Sequence, residues 1–211
     1  MKKRFLVVLI VVAVLIPATL SAGMINLSIG ATARYDKDFD AITASIDDGS
    51  FGDEALKLEN YAFGADVRLK IALAEIDLVG MFGRESVGGD DFTSISVLTS
   101  AGIAFDILNF ARLGIGMGPR FNVLIDSNGN AVLKDSNGTT VSSMDGFGDA
   151  FIKSPVAYRA TLDFNIGNMM LGLNYTVDTT YTFENWKEVQ DLFDAPLGKG
   201  KVGLSFLFSL I

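Results

Sequence analysis

Hydrophobic and polar residues alternate with a period of two along most of this chain. Ile25, Leu27, Ile29, Ala31, Ala33 and Tyr35 take every second position, with Asn26, Ser28, Gly30, Thr32 and Arg34 between them. That is the pattern of a strand with one apolar and one polar face. The same alternation recurs over residues 60–71, 76–83, 94–106, 111–123, 156–166, 171–181 and 201–211, which predicts eight strands. The third is the least regular, because Val79 and Met81 stand on the face that is polar elsewhere. Pro119 interrupts the fifth and cannot donate to a ladder, so a bulge or other irregularity is expected near it. Gly167-Asn168 reads as a two-residue hairpin turn.

The connections predict how the strands are joined. Residues 36–58, 124–151 and 183–200 form long polar links and 84–91 a medium one, while 72–75, 107–109 and 167–168 are short. Long and short links in alternation fit an up-and-down barrel with one decorated and one plain end. Within the strand cores, Arg34, Asp66, Arg68, Lys70, Asp77, Asp106, Arg112, Arg120, Arg159, Asp163, Asp178 and Lys201 all fall on the polar face. No charge is expected on the other. Strands of roughly 10 to 13 residues match a tilted bilayer crossing, so the apolar face is assigned to lipid and the polar face to the lumen. The fold class expected is all-β, an eight-stranded antiparallel up-and-down transmembrane β-barrel.

Eight strands leave a lumen only wide enough for side chains to fill. The predicted interior polar network is Arg34, Asp66, Arg68, Arg112, Arg120, Arg159, Asp163 and Asp178. These charges must pair with one another, since unpaired buried charge is costly. Aromatic girdles are expected from Tyr35, Tyr61, Phe63, Phe82, Phe121, Tyr158 and Tyr181 at the long-loop end. Phe105, Phe164, Phe206 and Phe208 would supply the short-turn end. Tyr175 fits neither.

The last strand contains V-G-L-S-F-L-F at 202–208. This segment resembles the C-terminal signal of bacterial outer-membrane barrels, although it runs three residues past Phe208. With the eight strands, the chain resembles small outer-membrane barrels of the OmpA/OmpX type and, more loosely, OmpW-like barrels. The resemblance implies termini and short turns on the periplasmic side and long loops outside. It also implies outer-membrane lipid and the barrel-assembly machinery as partners, the latter through the C-terminal strand. An extracellular ligand or host surface is the further partner expected.

Composition narrows the picture. Lys2, Lys3 and Arg4 precede an apolar run over 5–16, then Pro17 and small residues to Gly23. This is the layout of a secretory signal peptide, residues 1–22, with the barrel in 23–211. The run is short for a membrane span. Loss of those three basic residues takes the formal charge of the chain from -8 to -11, so nucleic acid is not an expected partner. The chain has no Cys and no His. Disulfides, thiolate metal sites and Ser-His or Cys-His hydrolysis are thereby excluded.

Three stretches invite a chemical reading. Gly114, Gly116 and Gly118 superficially suggest a phosphate loop, but no helix follows and all three alternate onto the lumen face, where they make room. Residues 126–130 and 135–138 hint at calcium, yet Ala131 stands where a calcium loop needs Gly and no Glu follows at the required spacing. Turn formation is the reading preferred. Phe183, Trp186, Val189 and Phe193 have near-helical spacing, which suggests a short amphipathic helix at the membrane surface or over the barrel mouth. No catalytic residue, metal or cofactor is expected. The function expected is a non-enzymatic barrel with a structural and surface-interaction role through long acidic loops. A narrow channel for ions or small hydrophobic solutes is the alternative.

Overall fold

The structure, a computed structural model, describes residues 25–87, 90–107, 110–134, 140–141 and 151–211. The signal segment and the stretch 135–138 lie outside these residues. Ten strands are present among them: β1 (Ile25–Tyr35), β2 (Tyr61–Ile71), β3 (Ala74–Val87), β4 (Asp90–Ile107), β5 (Ala111–Ile125), β6 (Ala131–Lys134), β7 (Thr140–Val141), β8 (Pro155–Ile166), β9 (Met169–Thr182) and β10 (Lys201–Ser209). Eight of them close a ring. β1 pairs with β2 and β10, the chain of antiparallel neighbours runs through β3, β4, β5, β8 and β9, and no edge of the ring is left open. β6 and β7 extend β5 beyond the ring as a short ribbon.

Closure between the first and last strands follows from their matching alternation. Ile29 faces Phe208, Ala31 faces Phe206 and Ala33 faces Leu204, so both apolar rows point the same way. The seam is tied at the turn end by Asn26, whose amide donates to Ser209 Oγ at 2.5 Å and to the Ile211 carbonyl at 3.0 Å. The ladder stops at Ser209, two residues short of the predicted strand end.

The pattern of burial is inverted relative to a protein dissolved in water. Arg68, Asp66 and Asp163 are 0 % exposed, while Ile115 is 55 % and Leu204 52 % exposed. Charged side chains fill the inside and aliphatic ones cover the outside. Hydrocarbon is the solvent that suits such an exterior. The eight ring strands are therefore membrane-spanning.

Several expectations are corrected. The medium link at 84–91 is largely strand: β3 and β4 stay paired out to Val87 and Asp90. Continuing β3 to Val87 places Arg84 on the outward row, two positions beyond Phe82 and exposed. The outer face thus carries a charge at its loop end, where a strand leaving the bilayer meets headgroups rather than hydrocarbon. Around Pro119 the β4–β5 pairing lapses between Leu98–Arg120 and Ala101–Met117, then resumes in unchanged register. The register shift lies on the neighbouring pair, between Pro155 and Ala157 opposite β9. There Thr179 Oγ1 donates to the Val156 carbonyl at 2.8 Å and accepts from Tyr181 N at 3.2 Å, supplying bonds the ladder lacks.

The long links also hold structure. Residues 36–60 contain α1 (Phe39–Asp47) and α2 (Phe51–Ala55). Asp38 caps α1 by accepting from Ala41 N at 2.8 Å. Residues 183–200 form three short 3-10 turns in place of the amphipathic helix. Tyr181 does not join the lipid girdle; it is buried against Phe183, whose ring stacks on Phe151 at 5.0 Å. Tyr175, mid-strand in sequence, donates its hydroxyl to the Leu197 carbonyl. It reaches loop level because β10 begins only at Lys201, beside Thr176.

Candidate functional site

The structure places Arg34, Asp66, Arg68, Arg112, Arg120, Arg159, Asp163 and Asp178 on the inward rows of the ring, in three tiers of ion pairs. Alternation alone puts them there, because each ring strand turns its polar row inward.

The middle tier is the densest. Asp66 on β2 accepts from Arg68 Nη2 at 2.8 Å, from Arg159 Nη2 on β8 at 2.7 Å and from Ser205 Oγ on β10 at 2.8 Å. Arg68 Nη1 donates to Asp163 Oδ2 at 2.6 Å, crossing the lumen from β2 to β8. Arg159 Nε stands 3.3 Å from Asp77 Oδ2, close enough for an ion pair but outside hydrogen-bond geometry. Buried charge on this scale persists only when each group has opposite charge beside it. Gly172 makes the room: a Cβ there would run into Asp163 Oδ1 and stand 3.4 Å from Arg68 Nη2.

At the turn end, Asp106 accepts from Arg112 Nε at 2.8 Å and pairs with Lys70. Glu75 Oε2 lies 3.7 Å from Arg112 Nη1. Gly114 serves the lumen as expected, since a Cβ there would meet Thr161 Oγ1 at 2.5 Å and Glu75 Oε1 at 2.8 Å. At the loop end, Arg120 donates to both oxygens of Asp178 at 3.0 and 2.9 Å. Arg34 and Lys201 share Asp36, at 2.8 and 3.2 Å. Burial pushes the Asp36 carboxyl up, and the two cations more than reverse this, holding it below the usual carboxylate range.

The network thus separates Arg34, Arg120 and Asp178 from the deeper five. Alternation also marks Lys70, Asp77, Asp106 and Lys201 as lumen-facing, though they stand outside the predicted set of eight. Sequence reasoning missed Glu75 and Asp36, assigned to a turn and a loop. With them the carboxylates joined in these ion pairs, Asp36, Asp66, Glu75, Asp77, Asp106, Asp163 and Asp178, equal in number the cations they pair with, Arg34, Arg68, Lys70, Arg112, Arg120, Arg159 and Lys201. The signal was available, because an excess of cations in a narrow lumen calls for further acids nearby.

Between the upper and middle tiers the lumen turns apolar. Ala62, Val79, Met81, Leu98 and Ala157 form a buried cluster inside the ring, which accounts for the irregular third strand. Above it a mouth open to solvent encloses about 490 Å³, lined by residues that include Arg34, Asp36, Glu59, Arg84 and Lys201. Beside the cluster the space between Arg34, Arg120 and Arg159 shrinks to about 10 Å³, room for about one water. Next to Glu75 and Asp77 there is none.

The other chemical candidates reduce to local structure. Asp126 accepts from Asn128 N at 2.9 Å, Asn130 N at 2.7 Å and Asn130 Nδ2 at 2.8 Å, and Gly129 takes a positive φ of 84°. These bonds hold its carboxyl below the usual range and describe a turn. Among the described residues no group of acidic side chains is arranged to hold a metal ion.

Two solved structures have a similar architecture. One is Ail, the attachment invasion locus protein of Yersinia pestis, crystallised with the heparin analogue sucrose octasulfate. It is 18 % identical, with 88 % of this chain and 95 % of that one covered and a TM-score of 0.41. The other is Neisserial surface protein A, 12 % identical over 89 % of this chain and 96 % of that one, with a TM-score of 0.38. No family model matches the chain, and no curated protein matches it. The chain is a closed eight-stranded antiparallel barrel. That statement rests on its own strand pairings.

Proposed function

We propose that this chain is a non-enzymatic bacterial outer-membrane barrel, exported by residues 1–22, whose working surface is its crown of loops. The observation that carries the reading is the obstructed lumen. An interior filled by ion pairs, with an apolar cluster and room for about one water beneath the mouth, argues against a path for solutes. What varies freely on such a scaffold is the loop end.

The crown is acidic. Residues 36–60 carry Asp36, Asp38, Asp40, Asp47, Asp48, Asp53, Glu54 and Glu59 against Lys37 and Lys57. Residues 183–200 add Glu184, Glu188, Asp191 and Asp194 against Lys187 and Lys199. Asp36 is engaged below by Arg34 and Lys201, while the rest stand at the surface. The complementary extracellular partner is a basic protein or peptide surface, bound with a strong dependence on ionic strength.

Two measurements test the proposal. Refolded protein in a planar bilayer is expected to be electrically silent, and steady single-channel conductance would favour the channel instead. Protein in neutral-lipid nanodiscs is expected to bind immobilised poly-lysine, to release it with added salt, and to bind more weakly once Asp47, Asp48 and Asp53 are changed to Asn. Equal binding by the triple variant would remove the loop 36–60 from the working surface.

A further inference from the structure

The outer wall carries a groove at the loop end, of about 600 Å³, between the segment before β2 and the upper part of β3. Its floor is aromatic and apolar: Leu58, Tyr61, Phe63 and Phe82, with Phe63 50 % and Phe82 60 % exposed. Lys57 and Arg84 stand at its rim. The floor is well fixed. Tyr61 donates its hydroxyl to the Ala55 carbonyl at 2.8 Å and stacks on Phe63 with ring centroids 6.2 Å apart.

We propose that this groove binds the headgroup of an anionic membrane lipid, with Arg84 on the phosphate. Three observations argue it, and all rest on the membrane reading of the barrel.

The first is height. Arg84 stands ten residues along β3 from Ala74 at the turn end. At roughly 3.4 Å per residue and a tilt of roughly 40°, that is about 26 Å up the barrel. The apolar band is about 25 Å tall, so Arg84 sits where hydrocarbon gives way to phosphate.

The second is charge. Lys57 is paired with Glu54. The Arg84 guanidinium, by contrast, makes no hydrogen bond or ion pair with any described residue. Glu59 lines the same groove, yet no ion pair joins it to Arg84. An exposed fork of N–H donors is the geometry that takes a phosphate through two bonds.

The third is continuity with the lipid-facing belt. The outward row of β3 runs Ile76, Leu78, Gly80, Phe82, Arg84. Around Gly80 the outer side is open, since a Cβ built there has nothing within 4 Å, and its cross-strand neighbour on β2 is the small Ala65. A shallow trough therefore leads from the groove down the wall between Leu78 and Phe82. An acyl chain fits it, and its headgroup then comes level with Arg84.

The test is native mass spectrometry of the refolded protein released from micelles holding equal amounts of phosphatidylglycerol and phosphatidylcholine. Wild type should retain phosphatidylglycerol over phosphatidylcholine by about fivefold, the discrimination of one basic side chain at an anionic surface. Arg84→Gln should bring the ratio to near one, Arg84→Lys should keep part of it, and Lys187→Gln on the crown should leave it unchanged. A wild-type ratio near one, or an unchanged ratio in Arg84→Gln, overturns the proposal. So does loss of the preference when soluble glycerol 3-phosphate is added, which would make the site one for a free phosphate. Heat-shifted gel mobility of each variant in lipid distinguishes the two failures: a wild type that does not fold in lipid would sink the barrel reading and this proposal with it, whereas a folded wild type with a ratio near one sinks the proposal alone.

Discussion

Asp66 is the residue on which the middle tier depends, and replacing it by Asn is the sharpest test of the lumen. Its oxygens accept from Arg68 Nε and Nη2, Arg159 Nη2 and Ser205 Oγ, and it is fully buried. Asparagine keeps the shape but removes the charge between two guanidinium groups. One carboxylate oxygen becomes an N–H donor facing other donors. Arg68 retains Asp163 at 2.6 Å, but Arg159 is left with Asp77 at 3.3 Å in poor geometry. Removing one partner of a buried pair costs about 3–5 kcal/mol. With a urea slope of about 2 kcal/mol per molar, the unfolding midpoint should fall by about 2 M.

The assay is urea unfolding from lipid vesicles, followed by far-ultraviolet circular dichroism. A second variant probes the same imbalance. Because the cost arises from cations left unpaired, Arg159→Met in the Asp66→Asn background should recover part of it, with a coupling of at least about 1 kcal/mol. At the rim, where the Asp178 carboxylate is 38 % exposed, Asp178→Asn should cost no more than about 1 kcal/mol. An Asp66→Asn midpoint within about 1 kcal/mol of wild type, or strict additivity with Arg159→Met, would refute the view that the charges of the middle tier are energetically coupled.

Four further outcomes are expected. Ile115→Arg places a charge on the lipid face and should cost about 2–4 kcal/mol near the midplane, seen as weaker folding into vesicles and loss of the heat-shifted band. Gly172→Val would displace the Asp163–Arg68 pair and should lower the urea midpoint, whereas the same change at exposed Gly52 should not. Ala72 takes a positive φ of 54° in the β2–β3 turn, so Ala72→Gly should stabilise the barrel by about 1 kcal/mol in the same titration. Acid should release the crown. Slight burial raises the Asp38 carboxyl, but the α1 amide and Lys199 outweigh it and depress its pKa, so its contribution is complete above the unfolded value of about 3.9 and is lost as pH falls through the lower folded value. Amide exchange across α1 should therefore rise at strongly acid pH and stay flat between pH 5 and 8.

What the sequence made legible is what alternation controls. A period of two, held over eight stretches, set the ring, the lipid face and the inward direction of every predicted lumen charge, because a one-residue slip would have turned Arg68 and Asp163 into hydrocarbon. The residues it did not place lie where strands end and the period stops carrying information. Glu75 was hidden by a turn that proved to be two residues, Ala72 and Leu73, so β3 begins earlier and brings Glu75 inward. Asp36 was hidden because it follows β1 by one residue, yet it is held in the mouth by Arg34 and Lys201. Arg84 was hidden by the two glycines at 88 and 89, which suggested a loop beginning at residue 84 where β3 in fact continues. The three errors share one physical cause. A barrel strand ends where its neighbours stop pairing, and the stagger of the ring decides that from across the sheet. The two missed acids are partners of Arg112, Arg34 and Lys201, and the missed arginine stands on the outer row of β3 at the edge of the mouth. Strand ends of a closed barrel are thus the first place to search for charges whose partners the alternation leaves unnamed.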